Sequence, residues 1–231
     1  MKTLKLFIAA ALVAASSLAA RAEISAQAWL ETYYLNPQPA ELGRAVRGLS
    51  REGYFEKTGR TAVAIGFLGT VFAQNPDRVD GWLEEFKGLP LAHHRLVAAA
   101  LWQAGNPKGA QLLRNLSTTS PVGADVQRLA NKPALPVADT PVLSPSSMNL
   151  QWGAFLACGD ERHVVNILDG IGTDHPALSS AARYALAQNA AAHPRVMEIC
   201  RSQLSKQSSE VRSVLQAALN DASSGATRPQ I

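Results

Sequence analysis

The chain has 231 residues, of which 47% are hydrophobic and 17% charged, and its formal net charge is +4. It contains no dense basic cluster. Because nucleic-acid binding needs a concentrated positive surface, we do not expect a nucleic-acid partner. The length allows one sizeable domain or two small ones.

Residues 1–22 have the pattern of an export signal. Two lysines precede the apolar run 6–20, and the small residues Ala20 and Ala22 stand at the positions that signal peptidase reads. Since the run is shorter than the roughly 20 residues that cross a bilayer, we expect cleavage after Ala22 and no stable membrane insertion afterwards. The alanine-rich signal is typical of bacteria, which predicts a periplasmic or secreted protein. Cleavage removes three basic residues and no acidic one, which lowers the net charge from +4 to +1.

Two amphipathic helices are predicted at the start of the mature chain, at about 26–36 and 40–51. The first carries aromatic residues on one side, at helical spacing. The second carries a row of arginines opposite its apolar stripe. We interpret these residues as one wall of a groove for an acidic or aromatic peptide, with a solvated helix face as the alternative. The candidate binding residues are Trp29, Tyr33, Tyr34, Arg44, Arg47 and Arg51.

Residues 61–74 form the most hydrophobic stretch of the mature chain. Apolar side chains occur on every side of this predicted helix, so it must lie inside other helices. Its glycines, Gly66 and Gly69, predict close contacts with those neighbours. Asn75-Pro76-Asp77 ends it and begins the next helix, at about 77–87, since Asn is a favoured N-cap and Pro suits the first helical position.

The helical pattern continues to the end of the chain. Apolar residues recur at spacings of three and four, and no strand-like alternation competes with them. The further predicted helices are 91–104, 108–116, 124–130, 148–158, 162–170, 177–191, 195–205 and 209–221. The tail 223–231 is small and polar, and we expect it to be disordered.

Residues 132–147 interrupt this pattern with four prolines. A proline-rich segment favours extended backbone over helix. A connection of this length is either a spacer or a functional arm laid across the surface.

The two halves on either side of this connection resemble each other weakly. Residues 77–83 align with 161–167, and Pro107 aligns with Pro194 at a similar offset. We therefore predict an all-α protein, an α-solenoid-like array of antiparallel helical hairpins of about 35–42 residues each. The predicted organisation is a signal peptide (1–22), an N-terminal helical-repeat block (23–131), a proline-rich connection (132–147), a C-terminal helical-repeat block (148–222) and a disordered tail (223–231).

One segment resembles a known family. Gln74-Asn75-Pro76-Asp77-Arg78-Val79-Asp80-Gly81-Trp82-Leu83 is similar to the junction between successive tetratricopeptide-type repeats, where a proline precedes a helix that bears an aromatic residue. The unit lengths approach those of HEAT-type repeats. The resemblance implies a helical-repeat architecture, whose members mostly bind proteins or peptides on a concave face.

Cys158 and Cys200 are the two cysteines of a chain expected in an oxidising compartment. A disulfide between them is one alternative. The other is a pair of buried or half-buried thiols, because Cys200 shares an apolar helical stripe with Val196 and Leu204.

Sequence patterns typical of catalysis are missing. The chain has no Gly-x-Ser-x-Gly, no glycine-rich phosphate loop and no Cys-x-x-Cys. The adjacent His93 and His94 project about 100° apart on a helix, so they do not share a metal-binding face. We therefore predict no catalytic residues, no metal and no cofactor.

These patterns favour a non-enzymatic exported protein that binds a protein or peptide partner in the envelope, as an adaptor, an assembly factor or an inhibitor. An alternative is an envelope hydrolase or lytic factor acting on cell-wall material. A buried His93 or His94 beside Glu84 or Glu85 in a cleft would favour it. A second alternative is a small-ligand carrier, marked by a closed apolar cavity under the connection.

Overall fold

The computed structural model describes residues 25–120, 122–171 and 176–225. The predicted signal peptide, its cleavage site and most of the tail 223–231 lie outside the described residues. Within them, every regular element is a helix, which confirms the all-α prediction. In this part of the chain, no helix is both long and apolar enough to span a bilayer.

Twelve α-helices and four short 3₁₀ turns are found among the described residues. The helices are α1 (Ala26–Thr32), α2 (Leu42–Arg51), α3 (Arg60–Gln74), α4 (Val79–Phe86), α5 (Leu91–Gln103), α6 (Pro107–Thr119), α7 (Gly123–Ala130), α8 (Pro145–Cys158), α9 (Glu161–Ile171), α10 (Pro176–Ala192), α11 (Pro194–Gln203) and α12 (Ser209–Ser224). The 3₁₀ turns are Tyr33–Leu35, Pro39–Glu41, Pro76–Arg78 and Val137–Asp139.

α3 is the central helix of the protein. Nine of its 15 residues are buried, and it packs most extensively against α8 and then against α5. From the N-terminal side, Trp29 and Tyr33 contact the ring of Phe67 edge-on. The prediction that this helix lies inside other helices is confirmed.

Two glycines allow α3 and α8 to cross closely. A Cβ atom on Gly66 would lie 2.0 Å from the carbonyl oxygen of Leu150, and one on Gly153 would lie 1.9 Å from that of Val63. Neither distance is possible for real atoms, so both positions need glycine. Gly69 approaches Gln103 of α5 in a similar but looser way. The predicted role of Gly66 and Gly69 in helix packing is confirmed.

Side-chain capping bonds are found at the starts of α1, α6, α8 and α12. α8 begins at Pro145 instead of residue 148, because Ser144 and Ser147 form a capping box ahead of it. Asn75 stands at the N-cap position of the turn that begins with Pro76, as predicted, but its side chain makes no capping bond there. Its side-chain amide donates to the carbonyl of Val71 at 2.9 Å and so caps the end of α3, while Pro76–Arg78 forms a 3₁₀ turn.

The proline-rich connection lies against the protein. Val137 and Val142 are buried, and the side chain of Gln151 donates to the carbonyls of Val137 at 2.8 Å and Thr140 at 2.7 Å. Asn166 of α9 donates to the carbonyl of Ala138. Of the two predicted alternatives, the segment therefore matches an arm laid across the surface rather than a free spacer.

The hydrophobic core is continuous across the connection. One cluster of contacting buried residues runs from Leu30 in α1 to Leu219 in α12. The α3–α8 crossing joins its two parts. The boundaries of the two blocks stay a prediction.

Candidate functional site

A cleft of about 690 Å³ lies between α4, α5, α6 and α7. Helices close in sequence supply all of its lining. Its apolar lining residues are Leu83, Phe86, Val97, Leu112, Leu116 and Val126. Its polar lining residues include Asp80, Glu84, Lys87, His94, Asn115 and Thr119. We call this feature the α4–α7 cleft.

The apolar floor of the α4–α7 cleft comes from side chains that also belong to the core. Phe86 and Val97 are buried, whereas Leu83 and Leu116 are only half-buried. Gly81 also lines the cleft, and no atom lies within 4 Å of where its Cβ would stand. The floor is thus packed against the core on one side and partly exposed to solvent on the other.

The rim of the cleft carries charges of both signs. Lys87 pairs with Glu84, and Lys108 pairs with Asp80, each at 2.5 Å. The side chains of Glu84 and Lys87 are more than two-thirds exposed, so their pair adds little to folding stability. These groups remain accessible for polar contacts with a bound molecule.

His94 lies in the same cleft as Glu84 and is half-buried there. This corresponds in part to the arrangement that would favour a hydrolase. His93 does not line this cleft, because its side chain lies between Ser50 and Glu56.

His93 lies between two hydrogen-bonding partners that sequence reasoning missed. Its Nε2 is 2.7 Å from a carboxylate oxygen of Glu56, and its Nδ1 is 3.0 Å from the hydroxyl of Ser50. Since a carboxylate accepts, Nε2 donates, and the neutral ring then accepts from Ser50 through Nδ1. The hydrogen bond from His93 lowers the pKa of Glu56. No sequence signal could have found this chain of bonds, because its members come from three separate segments.

The Ser50–His93–Glu56 arrangement has the hydrogen-bond order of a serine hydrolase triad. In such a triad the carboxylate is buried. Here the carboxylate of Glu56 is exposed, and the imidazole of His93 is buried. None of the three lines the α4–α7 cleft. The role that the geometry supports is structural: the bonds satisfy a buried histidine and tie the α2–α3 loop to α5.

Three of the six predicted binding residues meet in a smaller cleft. Trp29, Arg44 and Arg51 line a space of about 330 Å³ between α1 and α2. Arg44 pairs with Glu41 at 2.8 Å, and the Nε of Arg51 lies 3.3 Å from a backbone carbonyl. We call this space the α1–α2 cleft.

The other three predicted binding residues point elsewhere. Tyr33 is buried against Phe67, with ring centroids 5.1 Å apart. Tyr34 packs on Phe155 of α8, and its hydroxyl lies 3.4 Å from Nδ1 of His193. Burial raises the pKa of both tyrosines.

Arg47 joins α2 to α4 through an ion pair with Glu85 at 2.6 Å. It therefore does not line the α1–α2 cleft with the two other arginines. The six residues do not form one continuous wall, and their binding role stays a prediction.

Both cysteines are free thiols in the structure, which matches the second of the two predicted alternatives. The sulfur of Cys158 donates to the carbonyl of Ala154 at 3.2 Å. Cys200 is fully buried, and burial raises its pKa to about 12. Burial also raises the pKa of Cys158, so both thiols stay protonated near neutral pH.

A small-ligand carrier would have a closed apolar cavity under the connection. The space beside the connection is a surface groove of about 210 Å³ lined by Thr140, Val142 and Asn166 among others. The apolar void beside Phe55 and Phe67 lies elsewhere and has no room for a water molecule. Nor do three or more acidic, histidine or cysteine side chains converge on a possible metal site in this part of the chain.

Comparison with known proteins adds no relative. No family model, curated protein or solved structure matches this chain.

Proposed function

We propose that this chain is an exported, non-enzymatic helical-repeat protein that binds a protein or peptide partner in the bacterial envelope. The observation that carries the proposal is the α4–α7 cleft, with its apolar floor and its rim of mixed charge. Adaptors, assembly factors and inhibitors all act through such a surface. Export to the periplasm rests on the pattern of residues 1–22.

The shape and chemistry of the cleft fit a peptide segment. Ligand-binding clefts are concave and largely apolar, with a few polar groups that fix orientation. An amphipathic segment binds such a groove by placing its apolar side chains on the floor and its polar ones along the rim. Leu83 and Leu116, which are half-buried, would become fully covered on binding.

The proposal includes an array of helical hairpins in two related blocks. The α3–α8 crossing supports it. Gly66 lies over the carbonyl of Leu150, three residues before Gly153, and Gly153 lies over the carbonyl of Val63, three residues before Gly66. This makes the crossing locally two-fold. Gly66 and Gly153 are also separated by the same number of residues as Pro107 and Pro194, the pair that aligns in the sequence.

The test is capture of a partner from envelope extract with the mature chain, from Glu23 onward, followed by mass spectrometry. Leu116→Glu places a charge on the cleft floor, and we expect it to abolish capture of a stoichiometric partner. Leu35→Glu is the matched control, because Leu35 is 66% exposed and lies outside the cleft. Capture that survives Leu116→Glu would contradict binding at this cleft.

A second variant separates the two clefts. Arg44→Glu combined with Arg51→Glu reverses the charge of the α1–α2 cleft, while Arg47 stays in place because it pairs with Glu85. If this variant loses the partner and Leu116→Glu keeps it, the partner binds the face first predicted from the sequence. Failure to capture any stoichiometric partner at low or high salt would count against the binding function itself.

A second candidate function is hydrolysis of envelope material, favoured by His94 and Glu84 in one cleft. A neutral imidazole beside a carboxylate is a usual general base. Purified protein should then release soluble products from cell-wall material or lipid, and His94→Ala should lower the rate about 100-fold or more. Equal rates for the wild type and His94→Ala would exclude this role for His94.

A further inference from the structure

A second cavity of about 590 Å³ lies between α5 and α7. Its charged lining residues are Arg95, Asp125, Arg128 and Lys132, and its apolar ones are Ala98, Val126 and Leu129. Three cations and one carboxylate give it a local charge of +2. We call it the α5–α7 pocket.

The carboxylate of Asp125 is bound by two arginines of the α5–α7 pocket. One of its oxygens accepts from Nε of Arg95 at 2.6 Å, and the other accepts from a terminal nitrogen of Arg128. Both contacts lower the pKa of Asp125. A guanidinium has five N–H donors in a fork that matches a carboxylate, so two arginines that share one carboxylate keep donors for another.

The α5–α7 pocket adjoins the α4–α7 cleft. Val126 of α7 lines both, while the consecutive residues Val97 and Ala98 of α5 line one each. The two spaces thus share Val126 as part of their common wall. A bound segment of a few residues can reach from one to the other.

We propose that the α5–α7 pocket binds acidic side chains of the partner segment whose apolar side chains occupy the α4–α7 cleft. The inference rests on the proposed function and names the kind of partner: a protein segment with Asp or Glu beside apolar residues. Charge complementarity carries it, since the lining side chains of the pocket have a net charge of +2. Carboxylates fit arginine pairs because both groups are planar and bond in parallel.

The experiment measures fluorescence anisotropy of two labelled peptides with the full mature chain. One peptide alternates Leu with Glu, and its control alternates Leu with Gln. We expect the Leu/Glu peptide to bind about tenfold more tightly at low salt, and the difference to shrink as salt is added. Arg128→Gln with Lys132→Gln should remove most of this difference. Arg195→Gln with Arg201→Gln is the matched control, because it also removes two positive charges and both residues lie on α11, outside the pocket.

Asp125→Asn should strengthen binding of the Leu/Glu peptide, whereas Arg128→Gln with Lys132→Gln should weaken it. Removing the resident carboxylate leaves Arg95 and Arg128 for the ligand, so binding of the Leu/Glu peptide should tighten about threefold. A merely structural ion-pair cluster would show no such gain, and weaker binding in this variant would overturn the inference.

The two proposals fail in different ways. Equal binding of the two peptides, both lost in Leu116→Glu, would overturn the acidic preference and leave the cleft proposal intact. Binding of neither peptide would overturn both. A preference for Leu/Glu that persists in Arg128→Gln with Lys132→Gln would place the acidic site outside this pocket.

Discussion

At the scale of single residues, His163 has an environment that determines its protonation. The amide N–H groups of Gln151 donate to two carbonyls of the connection, and carbonyls only accept. The amide oxygen of Gln151 must therefore face His163, 2.7 Å from its Nδ1. Nδ1 carries the proton of the neutral ring, and burial lowers the pKa of His163 to about 4.

This depressed pKa makes folding stability depend on pH. The unfolded chain takes up a proton at His163 below about pH 6.5, whereas the folded chain does so only near pH 4. The contribution is therefore complete above pH 6.5 and is lost as the pH falls to 4. We expect the free energy of unfolding to drop by about 3 kcal/mol across this window through His163 alone. Urea unfolding at a series of pH values measures it.

His163→Gln is the variant that isolates this effect. Acidic residues titrate in both proteins, so the comparison cancels them. Between pH 6.5 and 4.5 the variant should lose about 2 kcal/mol less than the wild type. The same loss in both proteins would show that His163 is not the group responsible. Burial also lowers the pKa of His193, which acts in the same direction and remains in both proteins.

At the scale of secondary-structure elements, the α3–α8 crossing holds the fold together. Gly66→Ala would push a methyl group against the backbone of Leu150, and a backbone cannot move aside as a side chain can. We expect it to lower the free energy of unfolding by about 3 kcal/mol or more. Thermal or urea unfolding followed by circular dichroism measures the change.

Gly81→Ala is the matched control for this substitution. Gly81 lies within α4, and no atom stands within 4 Å of an added Cβ. Alanine favours the helix over glycine there, so we expect stability to rise by about 0.5–1 kcal/mol. Equal destabilisation by the two substitutions would contradict the explanation that close packing makes Gly66 necessary.

The sequence predicts the helices well because their signals are local. Proline at the start of a helix and apolar residues at spacings of three and four act within a few positions, and most predicted helices match to within a few residues. The partner of the Asn75 side chain does not follow from the sequence, because this side chain can bond forward or backward along the chain. The early start of α8 was missed because Ser144 was assigned to the connection.

The candidate site was much less predictable. Trp29, Arg44 and Arg51 could be grouped because α1 and α2 are adjacent in the chain. The orientation of Arg47 depends on Glu85, and Tyr34 depends on α8, neither of which the sequence places. The α4–α7 cleft depends on how four helices are spaced, and helical periodicity carries no information about the gap between helices.

At the scale of the whole molecule, the two predicted blocks share one core. Cut after residue 131, the chain would leave α3 without α8 and expose Phe67 and its neighbours. We expect fragments 23–131 and 132–231 to lack a cooperative thermal transition alone and to regain one when mixed. Circular dichroism melts of each fragment, of their mixture and of the intact chain make the comparison.

The control is the intact chain unfolded in urea. Tryptophan fluorescence and circular dichroism should give coincident curves, because tryptophans occur on both sides of the cut. A sharp melting transition in fragment 23–131 alone would contradict a single cooperative unit.

The glycine crossing also bears on how a distant relative of this protein could be recognised. Surface helices and clefts tolerate many residue types, so overall identity fades quickly as sequences diverge. A side chain of any size at Gly66 or Gly153 would collide with a backbone oxygen, whatever residues surround it. A chain that folds around the same crossing must therefore keep glycine at both places, inside two largely buried helices. That pair of positions is a more durable signature of this architecture than any residue of its surface.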